Sequence, residues 1–290
     1  MGRLIRCITS DGCVTAMAVD TTDIVNEAAR LHETSAVVSA ALGRLLTAAS
    51  MMGNSLKTEV GSVTLRINAD GPIGSVVAVA DTDGNVRGYA ANNIVEIPLN
   101  QKGKLDVGGA VGHNGYLYVL KDLGMKEPYN GVVPLVSGEI AEDITAYFAE
   151  SEQIPTVCAL GVLVNPDLSI KAAGGYIIQL LPTADDEIIT KVEKSIADIQ
   201  PITTLISNGM SLEDIVKNAL NQFDVELLDE CEVSYKCNCS KERTKRVLMT
   251  LGKEDLLKLA DEQKVTEVNC HFCNKVYEFT SDELKSIAKK

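Results

Sequence analysis

The chain has 290 residues, 46% of them hydrophobic, enough for a sizeable core and for two domains or one large domain with an appendix. Its formal charge of -13 repels phosphate backbones and argues against general nucleic-acid binding. Aromatic residues are scarce (four Phe, eight Tyr, no Trp), so aliphatic side chains must fill the interior.

Residues 1–20 read as a hairpin, with Ile5, Cys7 and the stretch 14–19 strand-like around Ser10-Asp11-Gly12. Thr21 or Thr22 then caps a long helix running to about Met52, with Ile24, Ala28, Leu31, Val38, Leu42, Leu45 and Ala49 at helical spacing. Residues 35–52 are the nearest approach to a membrane span. Arg44 in the middle and abundant Ala, Ser and Thr favour a buried helix, and no membrane partner is expected. The first ten residues lack a long apolar run of the secretory kind, which points to the reducing cytosol and to cysteines kept as thiols or metal ligands.

Strands follow at 59–68, 75–80 and 86–90, punctuated by Ala69-Asp70-Gly71-Pro72 and by the turn signal at 81–85. Another is expected at 116–121. Residues 140–150 read as a helix with Glu139, Glu142 and Asp143 at its positive end. Two apolar strands, 156–164 and 169–180, turn at Asn165-Pro166-Asp167. The fold class expected is α+β, with a sheet-and-helix core domain at 1–180.

Pro182 marks a change. Residues 181–230 read as a helical linker, broken by Pro201 and Asn208-Gly209, with helices at 185–199 and 211–220 and Ser211 as a cap. From 183 to 230 there are 11 Asp/Glu and three Lys, so these helices repel one another and need a neighbour to fold against. Residues 231–290 form a third segment. A strand at 232–235, a helix at 253–259, a hairpin of 267–270 with 276–279, and a final helix capped around Ser281-Asp282-Glu283 are expected. Its large apolar groups are too few for unaided folding, and a metal would supply the missing stability.

The ligands are at hand. Cys237-Asn238-Cys239 is followed, thirty residues on, by Cys270-His271-Phe272-Cys273. Two such pairs can give four thiolates to one tetrahedral Zn²⁺. A purely structural zinc is one reading. The other is a switch, because metal-held thiolates are oxidisable and each pair is close enough to bridge locally once the metal leaves. Cys231 reads as a strand residue, and Cys7, Cys13 and Cys158 as small thiols in strands. His271 lies inside the second pair and could be a ligand, but a residue adjacent to Cys270 would point away from the metal, so a place behind the ligands or at the surface is expected.

Other chemistry is poorly supported. A thiol–disulfide oxidoreductase needs Cys-x-x-Cys at a helix start in a βαβ unit, and here the pair precedes a strand. Gly108-Gly109-Ala110-Val111-Gly112 lacks the ending and order of a phosphate loop. Asp81-Thr82-Asp83-Gly84 is too short for a calcium loop, and His32, His113 and His271 form no credible catalytic set. A zinc-ribbon adaptor for nucleic acid or a protein partner is a rival reading, in which Lys241, Arg243, Lys245 and Arg246 touch phosphates; against it stand the acidic body and the shortage of nearby aromatics.

Cys-x-Cys, about thirty residues, then Cys-x-x-Cys at the C-terminus resembles the bacterial redox-regulated chaperonins, the heat-shock protein 33 family. The stretch from Gly138 to Phe148 followed by Ser151-Glu152-Gln153-Ile154-Pro155 is similar to the family's central signature. So are the stretches at 118–124 and 173–182, and the resemblance covers essentially the whole chain. It implies one zinc per chain on Cys237, Cys239, Cys270 and Cys273 in a reduced, inactive form. It implies that oxidant releases the metal as Cys237 bridges Cys239 and Cys270 bridges Cys273. It implies that the tail and acidic linker then lose structure, and that a non-enzymatic, ATP-independent holdase, associating as a homodimer through the N-terminal domain, takes up unfolding client proteins in the cytoplasm. Ile188, Val192, Ile196 and Ile199, on the inner faces of the linker helices, are the candidate client contacts, with plain packing as the alternative.

Overall fold

The structure, a computed structural model, describes residues 1–288. It divides into two compact units, Met1–Lys236 and Cys237–Lys290.

In the first unit, β1 (Gly2–Thr9) and β2 (Val14–Asp20) form the expected hairpin. The long helix expected next is two helices, α1 (Thr22–His32) and α2 (Ala36–Asn54). The break has a local cause. Glu33 turns left-handed at φ 50°, and Ser35 is extended. The Ser35 hydroxyl donates to Val95 O at 2.8 Å and accepts from Val95 N at 3.0 Å, while the Thr34 and Ser39 hydroxyls pair at 2.6 Å. These short polar side chains compete with the helical ladder and redirect the chain.

A five-stranded antiparallel sheet follows. It is built from β3 (Ser62–Ala69), β4 (Ser75–Asp81) and β5 (Val86–Ala90), then, after α3 (Val107–Val111), β6 (Gly115–Asp122) and β7 (Tyr129–Pro134). Its order is β5-β4-β3-β6-β7. Then come α4 (Ala141–Tyr147), continued by a π turn at Phe148–Glu152, and the long strands β8 (Thr156–Val164) and β9 (Ile170–Leu180). Helices α5 (Asp186–Ile196), α6 (Ile202–Ser207) and α7 (Leu212–Ala219) lead to β10 (Val225–Val233). The second sheet has the order β10-β1-β2-β9-β8.

Helix α2 organises the unit. Sixteen of its 19 residues are buried, as expected of a helix apolar on all sides. It has the length and composition of a membrane span, yet 89% of its apolar window is buried inside this fold. Its core cluster takes Leu4, Val19 and Ile177 from one sheet and Val63, Leu65, Ile67 and Ala78 from the other. Gly43 is required at the crossing, since an added Cβ would come within 2.7 Å of a Val25 methyl and 2.8 Å of a Val162 methyl. The charge of Arg44 is met by Glu139 at 2.5 Å. On the opposite face of the β1–β2–β9 sheet a second cluster holds α5–α7.

Residues 225–230, expected as the end of a helical linker, are strand. Nonlocal pairing decides this, since β10 runs antiparallel along β1 from Gly2↔Val233 to Thr9↔Val225. The boundary expected between 230 and 231 therefore falls inside β10, and the chain divides after Lys236 instead.

The second unit contains α8 (Lys241–Leu248) with a 3₁₀ turn at Met249–Leu251, α9 (Lys253–Glu262), the hairpin β11 (Val265–Asn269) and β12 (Val276–Thr280), and α10 (Ser281–Ile287). Thr280, one residue before the expected cap, closes a capping box with Glu283. The unit's apolar cluster is small, centred on Leu256, Tyr277, Phe279 and Leu284.

Candidate metal centre

The two cysteine pairs are carried by separate segments, the second of them a turn. Cys237-Asn238-Cys239 lies in the extended segment before α8, whose start is fixed by Ser240 accepting from Arg243 N at 3.2 Å. The Arg243 guanidinium donates to Asn238 O at 3.1 Å and braces that segment. Cys270 and Cys273 occupy the loop joining β11 to β12. There Cys270 N donates to Lys275 O at 3.0 Å, Asn274 N donates to Cys270 O at 2.8 Å, and Asn274 takes φ 56°.

The folds of these two segments bring all four sulfurs within 4.8 Å of one another. Between the segments Cys237 Sγ lies 3.7 Å from Cys270 Sγ, and Cys239 Sγ lies 3.5 Å from Cys273 Sγ. Four thiolates about 2.3 Å from one tetrahedral Zn²⁺ are about 3.8 Å apart, so the donor set and its spacing suit zinc. All eight cysteines are free thiols. Cys231 is in β10, as expected of a strand residue. Exposed His271 is outside the cluster of ligand atoms.

The electrostatics are those of four like groups in a small space. Burial pushes Cys237 and Cys273 up. At Cys239 burial acts in the same direction, but the Tyr277 hydroxyl and neighbouring thiols outweigh it and hold the thiol at about 7. Cys239 thus ionises readily while Cys237 and Cys273 resist. A bound dication removes that resistance by pairing with the thiolates. Tyr277 Oη donates to Cys239 Sγ at 3.1 Å. The sequence reading missed this residue, and its only sequence signal is the inward alternation of Tyr277 with Phe279 along β12.

The other sulfurs are dispersed. Cys7 is buried beneath the linker helices, and burial pushes it up to about 11. Burial also raises Cys158 and Cys231. Cys13, expected in a strand, sits in the turn before β2, where its Sγ faces Asp11 O and Thr183 O. Val192 is 4% exposed, and Ile188, Ile196 and Ile199 pack beside it on the cluster of Ile5, Ala16, Tyr176 and Ile178. Of the basic run, Lys241 pairs with Glu283 at 2.8 Å and Arg243 braces the first cysteine segment.

An α+β body followed by a small unit carrying four clustered thiols defines a protein with a C-terminal sulfur cluster that could hold a metal ion. A family model described as "Hsp33 protein" matches residues 2–280. The 33 kDa chaperonin of Clostridium beijerinckii is 48% identical, covering 97% of this chain and 96% of its own. That of Lachnoclostridium phytofermentans is 49% identical over 98% and 97%. The crystal structure of the heat shock protein 33 homologue of Thermotoga maritima superposes with a TM-score of 0.90 at 38% identity, covering 99% of this chain and 97% of its own. The chain belongs to the Hsp33 chaperone family.

Proposed function

We propose that the protein is a redox-regulated, ATP-independent holdase of the bacterial cytoplasm. Reduced, it holds one zinc on Cys237, Cys239, Cys270 and Cys273 and is inactive; oxidised, it binds unfolding clients. The observation that carries this reading is the convergence of four thiols within 4.8 Å in a unit with a small apolar core. Bound zinc keeps the four sulfurs as thiolates and ties two separate segments together.

Peroxide converts each pair, Cys237 with Cys239 and Cys270 with Cys273, into a disulfide. Each pair gives two electrons to one peroxide, which leaves as two waters once two protons are taken up. Bridged sulfurs no longer serve as ligands, and the folding energy the metal supplied is lost. In the body, the apolar surface to be released lies under α5–α7. Lifting these helices frees Ile188, Val192, Ile196 and Ile199 together with the sheet face of Ile5, Ala16, Tyr176 and Ile178. Clients meet that surface and no nucleotide is needed. The active form is a homodimer.

The test follows zinc release, free thiols and aggregation of a denatured client in one peroxide-treated sample. One zinc leaving with about four thiols, and suppression of aggregation appearing with them and reversed by thiol reductant, is expected. Metal-free reduced protein, or suppression independent of oxidation, overturns the reading.

A further inference from the structure

Tyr277 links two parts of the small unit that are otherwise distant in sequence. It stands on β12 opposite Val268 of β11 and is 8% exposed. Its ring belongs to the apolar cluster with Phe279, Leu256 and Leu284. Its hydroxyl leaves that cluster and reaches Cys239 Sγ at 3.1 Å, across 38 residues of sequence. The Lys275 ammonium lies 5.3 Å from the ring centroid, a favourable cation–π contact. The donor of the Tyr277 bond is a side chain rooted in the core of the opposite arm.

We propose that Tyr277 is a positioning residue of the sulfur centre, whose hydroxyl holds Cys239 in place for the metal and sets the oxidant level at which the centre opens. This rests on the metal-centre reading above and concerns its regulation. Four thiolates around one dication carry a net formal charge of about -2, and a donated hydrogen bond spreads part of it. The same bond draws electron density from the sulfur and lowers the nucleophilicity that oxidation requires. Oxidation at Cys239 begins when a sulfur lone pair attacks one peroxide oxygen. The O–O bond breaks, the displaced hydroxide takes up a proton and leaves as water, and the sulfur becomes a sulfenic acid. The Cys237 thiolate then attacks that sulfur, the S–S bond forms, and the expelled hydroxide is protonated to a second water. Two sulfurs are oxidised and one peroxide is reduced. A hydrogen bond into the Cys239 lone pair slows the first of these steps, and an anchored Cys239 is slower to leave the metal.

The experiment uses the full chain with Tyr277→Phe, which keeps the ring in the core and removes one oxygen. Wild type and variant are loaded with zinc and compared by chelator competition and by thiol loss under excess peroxide. About tenfold weaker zinc retention is expected, the low end for loss of a partner behind a metal ligand, with faster thiol loss. Both proteins are also loaded with Co²⁺. The sulfur-to-cobalt charge-transfer band should move to longer wavelength in the variant, because the unbonded thiolate is a stronger donor. Val268→Ala, which loosens the packing opposite Tyr277 but leaves the hydroxyl, should keep the wild-type band. Should Y277F fail to fold, a fluorinated tyrosine placed at position 277 strengthens the donor and should move the band to shorter wavelength. Wild-type retention, rate and band in Y277F overturn the inference. So does a Val268→Ala band shift equal to that of Y277F, or a fluorinated protein with an unmoved band. Failure of reduced wild type to bind metal at all sinks the metal-centre reading itself, before any variant is compared.

Discussion

Asp143 is fully buried, and its carboxylate gathers a loop. It accepts from Val136 N at 2.8 Å, Ser137 N at 3.1 Å and Gly138 N at 3.3 Å through one oxygen, and from Ile140 N at 2.8 Å through the other. The loop needs this support because Gly138 at φ 72° and Ile140 at φ 75° both take left-handed backbone, which is strained for a β-branched residue. Asp143→Ala strands the buried amides of Gly138 and Ile140 and frees those of Val136 and Ser137, and is predicted to cost about 3 kcal/mol. Urea unfolding checks this. A midpoint shift worth less than about 1 kcal/mol at unchanged slope means that the loop is held by something else. The sequence shows Asp143 as one of three acidic residues at a helix start, and that is true but incomplete. Spacing cannot separate a carboxylate facing solvent from one turned back on its own loop. The clustering of the four cysteines was legible because close pairs at this spacing are a recognisable pattern. Tyr277 was not, because its partner lies 38 residues away.

Among the elements, α7 and β10 are both tied to β1 by one side chain. Arg3 binds Glu213 of α7 through two nitrogens, one at 2.9 Å from Oε2, and also pairs with Glu230 of β10. The Arg3 hydrogen bond holds the Glu213 carboxyl below its ordinary value, and the carboxylates raise Arg3. The sign follows from linkage. The folded carboxyl binds its proton less well than the unfolded one, so its stabilisation is full above the unfolded value of about 4.3 and is lost as pH falls through the folded value. Arg3→Ala should therefore destabilise the protein by about 1 kcal/mol at neutral pH, the screened worth of a part-exposed network. The gap to wild type should close as pH falls below about 4. Denaturant titrations across that range check it, and a gap independent of pH removes Glu213 from the explanation. Local pattern recovered the elements whose signal is local, such as β1–β2, β8, β9 and the Ser211 cap of α7. It lost those whose cause lies elsewhere. β7 contains Asn-Gly and ends in Pro134, which only an edge strand tolerates, and β7 is an edge. α8 has one buried residue, Leu248, so its apolar periodicity is faint. β10 exposes Leu227 and Leu228 and is a strand only because β1 pairs with it.

At the scale of the whole molecule, stability is graded by core. The cluster around α2 draws on both sheets and is the largest. The cluster under α5–α7 is smaller, and its helices are short and acidic. The Cys237–Lys290 unit has the smallest core of the three, and a chain of about 50–60 residues is marginal without a staple. Hydrogen exchange should therefore lose protection in a fixed order. Chelating zinc from reduced protein should first open β11, β12 and α10, leaving the sheets around α2 protected. Adding mild denaturant should next open α5–α7, and α2 should go last. If protection in β11 and β12 survives chelation, the metal is not what holds that unit. If α5–α7 and α2 lose protection together, the linker is not a separate cooperative layer, and the apolar face of Ile5, Ala16, Tyr176 and Ile178 cannot be uncovered without unfolding the body that presents it.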